Sequence, residues 1–273
     1  MKIKNIIVVF TCLFIFQSYA SAATNQNKKT LIFGLLPSES AVAKFKRYAP
    51  LRDYLAKKLN YNIRLESARD FAEFIRRTKA RRYDLLETAP HLVPAALDSK
   101  NYDVITTITQ PLSAQIVVLK NSPYTNMEQL ANKIIATPSE KAIITRIGKN
   151  SINRIFKNNH ENLPVYQVYK THNAAYQAVL GLKANAAIIS VNIYNKALHK
   201  HEPLKSIGQS QQIPNMSILF ARDLGHSLQS MFQQQLVNMK DNPEGRKVLN
   251  KISYPGYKKA NASEYNSLRE YLK

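Results

Sequence analysis

The groups in this chain whose type and position could do chemistry are hydroxyl and imidazole side chains at the starts of helices. Ser38 and Ser40 follow the apolar run Leu31-Ile32-Phe33-Gly34-Leu35 and open the helical pattern after it. Ser139 sits in the turn Ala136-Thr137-Pro138-Ser139-Glu140-Lys141-Ala142, between a short β-branched run and a long helical one, and Thr171-His172-Asn173 begins another helix. A helix start offers unpartnered backbone N–H groups and the positive end of the helix dipole, so a hydroxyl or imidazole placed there can help to hold an anion. The same residue types also cap helices, and spacing alone does not choose between the two roles. Glu140 brings a negative charge into the turn that carries Ser139.

Patterns for covalent or metal chemistry are missing. The pairs His160-Glu161 and His201-Glu202 have no second histidine three residues on, as a zinc-protease helix needs, and His199 and His201 do not share a helical face. Seven glycines form no G-x-S-x-G, P-loop or dinucleotide fingerprint. A binding protein without cofactor or metal is the expectation, not an enzyme. Arg76, Arg77, Lys79, Arg81 and Arg82 are the densest basic cluster, but no aromatic residues are interleaved as a nucleic-acid stacking platform requires. The cluster reads as a solvated helix end, so no nucleic-acid partner is expected.

The elements that must position these groups read as α/β, with short apolar runs alternating with segments of helical period. Tyr48, Leu51, Tyr54, Leu55 and Leu59 recur at three and four, a helix face; Phe71 to Lys79 is a helix; Asp84 to Leu86 a strand. Pro90 is expected to start a helix to about Asp98, and Val104 to Thr109 and Gln115 to Leu119 are strands. The second half repeats this pattern: a strand at Ile134 to Ala136, a helix from about Glu140 to Phe156, and strand–helix pairs from Pro164 to Leu198. Strands near Ser206 and at Ile213 to Phe220 and three closing helices complete it.

Composition sets the outer limits. With 45% hydrophobic residues in 273, the chain can bury one large or two modest cores. Its 39 Lys and Arg against 18 Asp and Glu give a net charge of +21, which favours an anionic partner. Lys2 and Lys4 precede an apolar run from Ile6 to Phe16, then Ala20-Ser21-Ala22, the form of a secretory signal with its cleavage site. That run is shorter than the roughly 18 residues a spanning helix needs. Cleavage after about Ala22 would remove Cys12, the single cysteine, so a soluble, monomeric periplasmic protein without disulfides is expected.

Several stretches in order carry a family likeness: Phe33-Gly34-Leu35-Leu36-Pro37-Ser38-Glu39-Ser40, Ala49-Pro50-Leu51-Arg52-Asp53-Tyr54-Leu55, Ala68-Arg69-Asp70-Phe71 and Tyr83-Asp84-Leu85-Leu86. Ile116-Val117-Val118-Leu119-Lys120-Asn121-Ser122-Pro123, Thr171-His172-Asn173-Ala174-Ala175 and Ile213-Pro214-Asn215-Met216 continue it. Together they resemble the phosphate/phosphite/phosphonate-binding proteins of ABC importers. The resemblance implies the type 2 periplasmic-binding-protein fold, α/β and two-lobed, closing on a ligand at a two-strand hinge near Ile116 to Val118 and Pro214 to Ser217. Residues 23–116 and 215–273 would form lobe one and 117–214 lobe two. Both are then basic, lobe two with 12 Lys and Arg to 4 Glu and lobe one with 25 to 14 acids, so the surplus does not make a single polyanion-binding face.

The resemblance also implies site residues. A Ser/Thr-rich turn would hold the anion; here Ser139 remains of the expected Ser-Thr-Ser run. His172 matches the family's ligand histidine, and a protonated imidazole would strengthen the contact as pH falls toward its usual 6.5. Phe71 stands where a ligand-facing tyrosine is common, Thr88, beside Glu87, at a second aromatic position, and Met216 where relatives that recognise an amino group place an acid. Losing that acid argues against an aminoalkyl phosphonate. The expected site is therefore Ser38, Ser40, Phe71, Thr88, Ser139, His172 and Met216. Its expected ligand is a small anion delivered to an inner-membrane ABC permease. A ligand-presenting partner of a membrane sensor, or a basic surface-binding protein, are the alternatives.

Overall fold

The computed structural model describes residues 28–157, 162–169 and 171–272. The signal-like segment with Cys12 and Ala20-Ser21-Ala22, and the His160-Glu161 pair, lie outside them. Two sheets organise the chain, in keeping with the α/β two-lobed expectation. The first contains β1 (Thr30–Leu35), β2 (Asn62–Ser67), β3 (Leu85–Thr88), β4 (Tyr102–Ile108), β10 (Ser217–Ala221) and β11 (Tyr257–Lys259), in the order β11-β4-β10-β3-β1-β2. The second contains β5 (Ala114–Leu119), β6 (Ile134–Thr137), β7 (Val165–Val168), β8 (Ala186–Ser190) and β9 (Leu204–Gln209), in the order β7-β6-β8-β5-β9.

The helices form where the apolar period and the caps agree. Helix α1 (Ala41–Leu59) starts at Ser40, whose Oγ accepts from the Ala43 N–H, and ends at Asn60 in the left-handed region. Tyr48, Leu51, Leu55 and Leu59 on its inner face are all buried, and together with α7 (His226–Val237) and α8 (Pro243–Ile252) it covers one face of the first sheet. Asp70 caps α2 (Phe71–Lys79) by accepting from the Glu73 N–H. The segment from Pro90 is a 3-10 turn to Leu92 followed by the short α3 (Val93–Asp98). In the second lobe α4 (Ile143–Ile155), α5 (His172–Leu180) and α6 (Val191–His199) pack on the sheet. Strand β11 is too short at three residues to leave a periodic signal, and the closing segment Ala262–Leu272 is a 3-10 helix.

Close packing leaves no room for a side chain at Gly34 in β1, where an added Cβ would stand 2.5 Å from the Tyr83 ring. Tyr83 is fully buried and stacks on Phe74 at 5.4 Å, so the ring has nowhere to retreat. Gly34→Ala is expected to cost roughly 1–3 kcal/mol through overpacking, read as a lower urea midpoint at unchanged slope.

The lobes are joined by two crossings that hydrogen-bond to each other. Leu112 and Ile213 exchange both backbone N–H···O bonds at 2.9 Å, and Asn215 Nδ2 donates to the Gln110 carbonyl. This differs from the crossing expected at Ile116 to Val118. Those residues are paired inside the second sheet, because β5 joins β8 from Ala114 onward, so the chain passes between sheets over residues 109–113. The expectation at Pro214 to Ser217 falls on the second crossing, which runs from the end of β9 at Gln209 to the start of β10 at Ser217. The closing 3-10 helix also spans the lobes. Arg269 holds Asp98 of α3 through two bonds of 2.7 and 2.8 Å, while Asn150 of α4 donates to the Tyr271 hydroxyl.

Candidate functional site

Between the lobes lies a cleft of about 520 Å³. Of the seven residues expected at the site it brings together Ser38, Phe71, Ser139, His172 and Met216. The other two are elsewhere. Ser40 serves α1 as its cap. Thr88 is buried in β3 opposite Ser217, beside a small apolar gap lined by Phe74 and Leu92, and its Oγ1 faces no partner among the described residues. A strand alternates its side chains between faces, and the face that carries Thr88 packs into the lobe, not the cleft.

The second lobe supplies the donors. Helix α4 begins at Ile143, three residues later than its apolar period suggests, and Ala142 at its cap has no side chain to satisfy the first turn. Ser139 therefore does not cap α4; its Oγ accepts from the Lys141 N–H within the turn. Ile143 and Ile144 both line the cleft, so the open N–H end of a four-turn-class helix borders it. Glu140, which would repel an anion, is drawn away by Lys149 at 2.6 Å and is not among the lining residues.

His172 opens α5 after the Thr171 cap, whose Oγ1 accepts from the Ala174 N–H. Its Nδ1 accepts from the backbone N–H of Ser190 at 3.3 Å, which leaves the proton on Nε2 as a hydrogen-bond donor. Burial pushes its pKa down to about 4. The imidazole is thus neutral at pH 7, a correction to the protonated contact expected from the sequence: a ring turned onto a backbone donor cannot carry a second proton there. The charge in the cleft comes instead from Lys141, while none of its lining residues is acidic.

Sequence reasoning missed His91, Lys141, Ser190 and Asn215, all of which line the cleft. Lys141 lay inside the turn that was singled out, and the Ser139 neighbourhood was the only signal for it. Nothing in the periodicity distinguished His91, because it sits in a 3-10 turn whose register depends on Pro90. Asn215 is held by its own network, its Oδ1 accepting from the Met216 N–H at 2.7 Å.

The fold and the cleft define a two-lobed solute-binding protein of the periplasmic-binding-protein type. A model of the family described as "ABC transporter, phosphonate, periplasmic substrate-binding protein" matches residues 33–265, and the chain belongs to that family. It is a family of transport binding proteins, not of enzymes. Among solved structures, PhnD1 from Prochlorococcus marinus in complex with methylphosphonate is similar over 89% of this chain and 97% of its own, at 15% identity and a TM-score of 0.72. A binding protein component of an ABC phosphonate transporter from Pseudomonas aeruginosa matches 89% of this chain and 85% of its own at 14% identity and a TM-score of 0.67. A Xanthomonas citri protein bound to ATP covers 89% and 95% at 11% identity and a TM-score of 0.70. At these identities the structural likeness speaks for the fold. No curated protein matches the chain in sequence. Among the described residues no helix is long and apolar enough to cross a membrane.

Proposed function

We propose that this protein captures a small oxyanion, phosphonate-like or phosphate-like, in the periplasm and delivers it to an ABC importer, after export and cleavage near Ala22. The observation that carries the reading is the cleft wall of the second lobe. The uncapped first turn of α4, the Nε2–H of His172 and the Lys141 ammonium line one cleft whose lining has no acid to oppose them. The mutually bonded crossings at residues 109–113 and 210–216 would serve as the hinge, with the first lobe closing over the anion and excluding water.

A thermal-shift screen over phosphate, phosphite, methylphosphonate, sulfonates and carboxylates tests this. A ligand at 100 times its dissociation constant stabilises by about 2.7 kcal/mol. For the best probe, His172→Ala is expected to weaken binding by roughly 10- to 150-fold in calorimetry, the loss of one hydrogen bond to a charged group. Affinity within twofold of wild type would place the anion elsewhere.

A further inference from the structure

His91 is the polar group of the cleft for which the fold provides least. It follows β3 in the turn Pro90–Leu92, on the first-lobe wall, opposite the lobe that carries His172. The residue is only 6% exposed, and its Nδ1 is sealed from solvent without a hydrogen-bond partner among the described residues. His172 differs: its Nδ1 is satisfied by Ser190. An unsatisfied buried polar atom is destabilising, and a group kept in that condition calls for a role that burial alone does not give it.

The cleft is also more apolar than a bare oxyanion needs. Leu36, Phe71, Leu112 and Met216 line it together with Ile143 and Ile144. An apolar surface of this kind gains from removing apolar ligand area from water and offers no partner to a second charge.

Resting on the oxyanion reading above, we propose that His91 is a ligand-binding residue of the first lobe and that the ligand is an oxyanion carrying an uncharged, apolar substituent. The second lobe holds the head group with α4 and His172. On closure the imidazole of His91 bonds it from the opposite side, and the substituent lies against Leu36, Phe71 and Met216.

Calorimetric titration of phosphate, methylphosphonate and phenylphosphonate into the wild type, His91→Leu and His91→Gln tests this. The wild type is expected to bind phenylphosphonate at least tenfold tighter than methylphosphonate. His91→Leu should lose at least tenfold for both, while its ligand-free melting temperature holds or rises because the unsatisfied nitrogen is gone. His91→Gln, which keeps a donor, should recover most of the affinity. Binding of methylphosphonate or phosphate as tight as phenylphosphonate, or His91→Leu within twofold of wild type, overturns the proposal and leaves the oxyanion reading standing. Wild type that binds none of the three overturns both.

Discussion

Replacing Lys44 by Met is expected to cost about 3–5 kcal/mol of stability and to lower the melting temperature by roughly 10 °C. Lys44 lies on the inner face of α1, and its Nζ stands 3.2 Å from Glu87 Oε2 on the central strand β3, each side chain 1% exposed. Glu87 Oε1 also accepts from the hydroxyls of Tyr48, at 2.7 Å, and Tyr254, at 3.2 Å. Burial, with the Glu87 charge second, holds both phenols well above their usual pKa, so they stay protonated and act as donors. Without the ammonium, a carboxylate sealed in the lobe keeps only these two neutral donors, and the energy of an uncompensated buried charge exceeds what they return. The double variant Lys44→Met/Glu87→Leu should recover to within about 1 kcal/mol of wild type, since a buried ion pair replaced by apolar groups of similar size is often neutral or better. Urea unfolding of the two single variants and the double variant measures the coupling; a single Lys44→Met within 1 kcal/mol of wild type would show that the pair is solvated. Lys44 Nζ also donates to Ser38 Oγ at 3.3 Å, so the same substitution frees a residue of the cleft wall.

Acidification from pH 7 to 5 is expected to remove about 3 kcal/mol of stability in the ligand-free protein. Burial holds His91 at a pKa of about 4, with the nearby Arg146 pushing the same way, and burial alone holds His172 at about 4. An unfolded histidine titrates near 6.5. Between these values the unfolded chain binds more protons than the folded one, so stability is highest above about pH 6.5 and falls as pH drops toward 4. His91, nearly sealed, contributes about 2 kcal/mol of the loss by pH 5, and the less buried His172 contributes less. Carboxylates held low by arginines, such as Glu73 at about 2 beside Arg76 and Arg77, lose their contribution only in a more acid range. Urea unfolding at the two pH values tests the prediction. A change below about 0.5 kcal/mol would mean that both rings reach water, and His91→Leu should remove the larger part of the effect. A bound anion opposes it by favouring protonation of His91, whose Nδ1 has no partner among the described residues, so the ligand should protect most at low pH.

What the sequence determined by itself was the alternation of elements and the residues at strand-to-helix turns. These are local quantities: helix period in Tyr48 to Leu59, caps at Ser40, Asp70 and Thr171, and β-branched runs that become buried strands. That is why five of the seven expected residues reach one cleft, since each lies at such a turn or on the crossing beside it. The resemblance carried Phe71 and Met216, for which period alone favoured plain core packing.

Tertiary structure decided the rest. Thr88 turns into the lobe because the pleat of β3, held in register with Ser217 of β10, puts it on the face packed against Phe74 and Leu92. His172 is neutral because the start of α5 packs against Ser190, eighteen residues further on, and only packing brings that N–H to Nδ1. The apolar run Gln115 to Leu119 looked able to bridge the lobes, yet its backbone groups bond β8 and β9, so the crossing falls before it. His91 and the Lys44–Glu87 pair left no sequence signal. The energy of burying a polar group depends on what surrounds it in three dimensions, and neither spacing nor composition records that.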